Sequence, residues 1–203
     1  MIAIIDYGCG NLGSIKNMIR KIGGEAVITS DIEQIKLAKK IILPGVGSFD
    51  TGMNNLKASG FIDVLNEKAF KEKVPFLGIC LGMQLMTKGS EEGSEPGLGW
   101  FDADTIKFTF EKDSKNKIPN MGWKHVDVKK TSAYFNDMYP EPRFYFVHSY
   151  YVRSNNTADI LTTSVYGNEY VSGFEKENLC GVQFHPEKSH KFGMKLFSNF
   201  LAI

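Results

Sequence analysis

The chain has little that would staple or anchor it. Three cysteines, Cys9, Cys80 and Cys180, stand among 203 residues. They are odd in number, widely spaced and form no Cys-x-x-Cys pair, which excludes a disulfide framework. No run approaches the roughly 20 apolar residues of a membrane-spanning helix. The opening Met1-Ile-Ala-Ile-Ile5 has neither the basic segment nor the longer apolar stretch of a secretion signal. The expected compartment is therefore the cytoplasm, with the thiols reduced. Neither sign of charge prevails, since 24 basic side chains face 23 acidic ones. Without a block of like charges, a phosphate-neutralising surface for nucleic acid is not expected. His125, His148 and His190 have no partner at metal-ligand spacing, so neither a metal nor another cofactor is expected.

What is present is a globular composition, 42% hydrophobic. A domain of this length buries about 70% of its unfolded surface and needs no cross-link. The first half alternates strand and helix signals. Ile2–Asp6, Ala26–Thr29, Ile41–Leu43 and Phe76–Ile79 are short apolar runs without alternation, the pattern of parallel strands covered on both faces. Between them the spacing predicts a helix from Ser14 to Ile22, a short one capped by Asp31, and a long helical stretch from Phe49 to about Lys73 broken at Ser59-Gly60. After Gly99 the strands become β-branched and aromatic: Thr105–Phe110, Lys124–Val128, Phe144–Val152, Ile160–Val165, Tyr170–Phe174 and Leu179–Phe184. Glu175–Asn178 reads as a hairpin loop, the polar run Glu111–Lys117 as a solvated loop, and the residues after Ser189 as a final helix. No linker or repeat divides the chain. The expectation is one α/β domain over residues 1–203, with a mostly parallel central sheet flanked by helices and antiparallel additions.

Three stretches carry chemistry. In Phe76-Leu-Gly-Ile-Cys80-Leu-Gly-Met-Gln84 an apolar strand enters a Gly-x-Cys-x-Gly turn and then helix-compatible residues. This is a strand–nucleophile–helix turn with cysteine at its apex, at a helix N-terminus that favours thiolate. Alone, it also reads as a buried structural cysteine. In Gln183-Phe-His185-Pro186-Glu187 a histidine and a carboxylate lie two residues apart. Pro186 biases His185 towards an extended backbone, which would put Glu187 beside the ring. A thiol nucleophile needs such a base and a group to orient it. Leu43-Pro-Gly45-Val46-Gly47 follows a strand, at the edge where doubly wound sheets bind ligands. The Leu81 N–H and an N–H of the Gly45/Val46 loop are the expected pair of oxyanion donors.

These residues together resemble the class I (triad-type) glutamine amidotransferases. Asp6-Tyr-Gly-Cys-Gly-Asn11, Pro44-Gly-Val-Gly47, Pro119-Asn-Met-Gly-Trp123 and Tyr145-Phe-Val-His-Ser-Tyr150 narrow the resemblance to the glutaminase subunits of imidazole glycerol phosphate synthases. The resemblance implies a Cys80-His185-Glu187 triad, a γ-glutamyl thioester on Cys80, and release of ammonia. It implies glutamine contacts at Gly47, Gln84, Glu92, Ser149 and Tyr150. It also implies a heterodimer with a barrel-shaped synthase subunit, met by Asn11, Met121, Trp123, Lys124 and Lys188. That partner would use the ammonia to make imidazole glycerol phosphate and aminoimidazole carboxamide ribotide. One position departs from the family pattern, Lys124 standing where asparagine is usual. Two alternatives stay open: a similar glutaminase serving amidination of a bacterial surface sugar, and a reactive-cysteine hydrolase or chaperone-like protein on a related fold.

Overall fold

The computed structural model describes residues 1–111 and 113–203; Lys112, within the expected loop 111–117, lies outside them. The first half runs β1 (Ile2–Ile5), α1 (Leu12–Lys21), β2 (Ala26–Thr29), α2 (Ile32–Leu37), β3 (Lys40–Leu43), α3 (Phe49–Ala58), α4 (Phe61–Asn66), β4 (Phe76–Ile79) and α5 (Leu81–Leu85). The second adds β5 (Ala103–Lys107), β6 (Asn120–His125), β7 (Asp127–Val128), β8 (Arg143–His148), β9 (Tyr150–Ser154), β10 (Ile160–Tyr166), β11 (Asn168–Lys176), β12 (Leu179–Val182) and α6 (His190–Ala202).

Strands β2-β1-β3-β4-β12 lie side by side and parallel. The sheet continues antiparallel through β11, β10 and β7, with β9 and β5 joined at β11. All four residues of β1 are buried because both faces are covered. Ala3 and Ile5 point into a core with α2, α3, α4 and α5, whereas Ile2 and Ile4 point into one with α1 and α6. On that second side Leu196, Phe197 and Phe200 of α6 are fully buried, each contributing about 1.5–3 kcal/mol. The α/β expectation holds, as do the Asp31 cap, whose side chain accepts from the Glu33 N–H, and the helix break at Ser59-Gly60.

Several boundaries differ from expectation, β5 covering Ala103–Lys107 rather than Thr105–Phe110 and β12 ending at Val182 rather than Phe184. Helix α1 starts at Leu12 rather than Ser14, because the turn ends at Gly10 (φ 111°) and nothing delays the first helical turn. The expected strand 144–152 is two strands broken at Ser149. There the chain leaves a small two-stranded sheet, β6-β8, to pair with β5 and β11 in the large one. The expected strand 124–128 divides for the same reason: β6 pairs with β8, and β7 pairs with β10.

The order β3-β4-β12 sets the loop after β3 on one side of the β4–α5 turn and the end of β12 on the other. The loop after β3 and the β4–α5 turn close in on each other at Gly82. A Cβ there would stand 1.8 Å from the Leu43 carbonyl oxygen and 2.8 Å from its carbon. Overpacking against backbone has no flexible neighbour to absorb it, so Gly82→Ala should cost about 3 kcal/mol or more in urea unfolding. Gly89, where a Cβ would have nothing within 4 Å, should tolerate alanine within about 0.5 kcal/mol.

Candidate active site

Cys80 sits between β4 and α5 with φ 53° and ψ −108°, a left-handed-side conformation rare for a residue with a Cβ and costing roughly 1–3 kcal/mol. The neighbours impose it. The Cys80 N–H donates to the Val182 carbonyl at 2.8 Å, and its own carbonyl accepts from the Gln84 N–H at 3.2 Å. Gly78 and Gly82 supply the space: a Cβ on Gly78 would meet Met86 Cε at 2.9 Å and the Gly82 carbonyl at 3.0 Å. The other thiols are differently placed. Burial pushes the Cys180 thiol well up, and the Cys9 thiol up as well despite a hydrogen bond from Asn55.

His185 follows β12, fully inside the protein. Its N–H donates to the Tyr145 carbonyl at 2.9 Å, and stacking of Phe144 on Phe184 at 4.0 Å fastens β8 against this segment. Its Nδ1 lies 2.8 Å from Glu187 Oε1. The expected reason for that pairing holds in part: His185 is extended, with φ −103° and ψ 93°. Glu187 is not on an extended chain; Pro186–Lys188 form a single 3-10 turn, and the carboxylate reaches back to the ring from it. His185 Nε2 and Glu187 Oε2 are buried and have no hydrogen-bond partner among the described residues. Burial disfavours a charged ring, but the neighbouring Cys80 sulfur and the Glu187 carboxylate outweigh it and raise the His185 pKa above its ordinary value.

The loop after β3 completes the wall. The Leu81 N–H donates to the Gly45 carbonyl at 3.4 Å, so that the carbonyl, rather than the Val46 N–H, faces the turn. The Tyr7 hydroxyl donates to the Pro44 carbonyl at 2.5 Å, and a Cβ on Gly45 would lie 2.6 Å from that hydroxyl. Gly47, at φ 115°, has open space around it.

Val46, Gly47, Cys80, Leu81, Gln84, Glu92, Ser149, Tyr150 and His185 line one cleft of about 330 Å³, together with Pro119, Val147 and His148. The last three were not singled out from the sequence as site residues; the aromatic run 144–151 reads as core strand until the break at Ser149 is known. One Glu92 carboxylate oxygen accepts from the Phe49 N–H at 2.8 Å. Both hydrogens of Gln84 Nε2 are used, on the Tyr150 carbonyl at 3.1 Å and on Gln183 Oε1 at 3.0 Å. Outside the cleft, Asn11, Met121, Trp123 and Lys188 are exposed. Trp123 stacks on His190 at 5.5 Å and meets Tyr145 edge-on, with Lys188 over the Tyr145 ring. Lys124 places its ammonium 5.0 Å from the centre of the Tyr166 ring, so its charge is answered within the chain.

The family model of the class-I glutamine amidotransferases matches residues 3–203. The chain belongs to that family. It is 58% identical to the imidazole glycerol phosphate synthase subunit HisH 2 of Methanococcus maripaludis, over 99% of this chain and 98% of the relative. It is 45% identical to the subunit of the same name from Pseudomonas aeruginosa, over the full length of both. Among solved structures, a glutamine amidotransferase superposes with a TM-score of 0.77 at 17% identity, over 100% of this chain and 98% of the other, a likeness of fold. Among the described residues no helix is long and apolar enough to cross a membrane.

His148 gives this site a measurable pH signature. Its Nε2 faces Asn120 Nδ2 at 3.1 Å and its Nδ1 faces the Tyr150 carbonyl at 2.7 Å. An amide nitrogen can only donate and a carbonyl can only accept, so the ring is neutral with its hydrogen on Nδ1. Burial lowers its pKa from 6.5 to about 4. As pH falls below 6.5 the unfolded chain takes up the proton first, so stability falls until the folded-state value is reached. Between about pH 7 and 5 this histidine should cost ~2 kcal/mol. Urea unfolding of wild type and His148→Gln at both pH values should show that loss in the wild type and much less of it in the variant.

Proposed function

We propose that this chain hydrolyses glutamine to glutamate and ammonia and passes the ammonia to a barrel-shaped synthase partner that forms imidazole glycerol phosphate and aminoimidazole carboxamide ribotide in the cytoplasm. The observation that carries the reading is the adjacency of β4 and β12, which sets the strained Cys80 turn beside the buried His185–Glu187 pair. The Cys80 thiolate attacks the side-chain amide carbon of glutamine, and the oxygen becomes an anion. His185 gives its Nε2 proton to the nitrogen, the C–N bond breaks and ammonia leaves. Water, losing a proton to His185, then opens the thioester and frees glutamate and the thiolate. Glu187 holds the ring's orientation. Glutamine is held by Gly47, Gln84 (through its free Oε1), Glu92, Ser149 and Tyr150.

In the resting geometry the Leu81 N–H is occupied by the Gly45 carbonyl. Rotating the Gly45–Val46 peptide removes that acceptor and swings the Val46 N–H towards the oxyanion, with Leu81 as the second donor. Gly45 and Gly47 make the rotation inexpensive. The partner, docked over Asn11, Met121, Trp123, Lys124 and Lys188, is the natural trigger. A second reading keeps the chemistry and changes the acceptor to a bacterial surface sugar undergoing amidination. Two observations favour keeping it: Lys124, and the presence in Methanococcus maripaludis of two subunits named HisH, of which copy 2 is 58% and copy 1 is 45% identical to this chain.

Cys80→Ala in the assembled complex should abolish synthesis from glutamine and leave synthesis from ammonium salts intact. Equal loss with both nitrogen sources would sink the division of labour. Glu187→Gln should lower kcat less than His185→Ala, whose loss should lie within the ~10²–10⁴-fold typical of general acid–base groups; the reverse ranking contradicts the assignment. The free chain should turn over glutamine slowly, with partner and acceptor ligand raising kcat by ~10²–10³, the worth of one oxyanion donor. Stopped assays with each barrel type separate the two acceptors.

A further inference from the structure

The cleft around Cys80 has a polar group behind it that touches the nucleophile and not the substrate. Gln183 is completely buried and is absent from the cleft lining. Its Nε2 lies 3.7 Å from Cys80 Sγ, and its Oε1 accepts from Gln84 Nε2. We propose that Gln183 is a further catalytic residue whose side-chain amide holds the Cys80 sulfur as the thiolate and aims it at the substrate carbon. The proposal rests on Cys80 being the nucleophile.

The direction of the amide is not arbitrary. The Tyr150 carbonyl only accepts, and it takes one hydrogen from His148 Nδ1 and one from Gln84 Nε2. That fixes Gln84 with its nitrogen towards Gln183. A reversed Gln183 would then set two NH2 groups against each other and its oxygen against the sulfur. Only one orientation satisfies both amides, and in it the sulfur receives an N–H.

A neutral thiol is a weak acceptor, whereas a thiolate accepts strongly and cannot donate. A buried amide N–H left without a good acceptor is costly. The arrangement therefore favours whichever sulfur state accepts best, and that is the anion. The His185 ring supplies the opposite charge. The two neighbours differ in kind: the imidazolium loses its proton during the reaction, while the amide of Gln183 keeps its hydrogens and stays beside the sulfur before and after ammonia leaves. The amide thus returns the sulfur to the anionic state when the thioester opens.

The test measures the sulfur directly. Alkylation of Cys80 by iodoacetamide is followed by peptide mass spectrometry in wild type, Gln183→Leu and Gln183→Glu, from about pH 6 to pH 9. Leucine removes the donor. Glutamate keeps the oxygen that Gln84 requires and sets a second anion against the sulfur. Both variants should alkylate ~10-fold more slowly at pH 7, with the profile moved to higher pH by about one unit, glutamate at least as far as leucine. In turnover, kcat should fall in both variants, and KM should hold in Gln183→Glu, which keeps the contact that positions Gln84. Near-UV circular dichroism checks the fold, and if only one variant folds it decides. If neither does, the wild-type protein decides: the Gln183 side-chain amide should give an NMR resonance that moves with pH as Cys80 ionises, and Cys80→Ala should abolish that movement. Alkylation profiles within about threefold of wild type in the folded variants, or an amide resonance indifferent to Cys80, overturn the proposal. Failure of the glutaminase reading is distinguishable, because it would leave these profiles shifted while glutamine turnover stayed insensitive to Cys80.

Discussion

The approach of Gly82 to the Leu43 carbonyl, so close that no side chain fits between them, is the constraint on which the rest of the site depends. It lets α5 begin directly over the end of β3, which forces the chain between β4 and α5 through the positive φ of Cys80. Strain of roughly 1–3 kcal/mol at one residue is held by the hydrogen bond from Cys80 to Val182 and by the packing of two glycines. The same approach brings the Gly45 carbonyl within reach of the Leu81 N–H. The direction of the Cys80 side chain and the pairing of the Leu81 N–H are thus consequences of a single backbone contact.

Two buried histidines show how partners, rather than burial, decide charge. His148 and His185 are both almost wholly enclosed. His148 is bracketed by an amide donor and a carbonyl acceptor; burial outweighs the hydrogen bond to the Tyr150 carbonyl and lowers its pKa to about 4. His185 faces a carboxylate and a sulfur, and these raise it in spite of burial. Both rings border the same cleft. One serves as a fixed part of its wall, and the other is equipped to carry a proton.

Much of this was legible in the sequence because it is local. The run Phe76–Ile79, leading through Gly78-x-Cys80-x-Gly82, announces a buried strand, a tight turn and a short helix within ten residues, and the structure has them in those places. The break at Ser59-Gly60 and the Asp31 cap are local signals of the same kind. What was not legible depends on which sheet a strand joins. Nothing in Phe144–Val152 says that the chain changes sheets at Ser149, and that change brings His148 and Val147 into the cleft. His185 is extended as Pro186 predicts, but Glu187 reaches back to its ring from the 3-10 turn Pro186–Lys188, which a spacing of two residues does not announce. The Gln84–Gln183–Cys80 contacts link positions about a hundred residues apart, and only the adjacency of β4 and β12 brings them together.

Of the three buried thiols, the one in the strained turn is proposed as the nucleophile for glutamine. An electrophilic glutamine analogue that alkylates the attacking group, followed by peptide mapping of all three cysteines, tests this. A single stoichiometric label should fall on Cys80, blocked by glutamine and lost in Cys80→Ala. A label on Cys9 or Cys180, or none at all in the assembled complex, would contradict it.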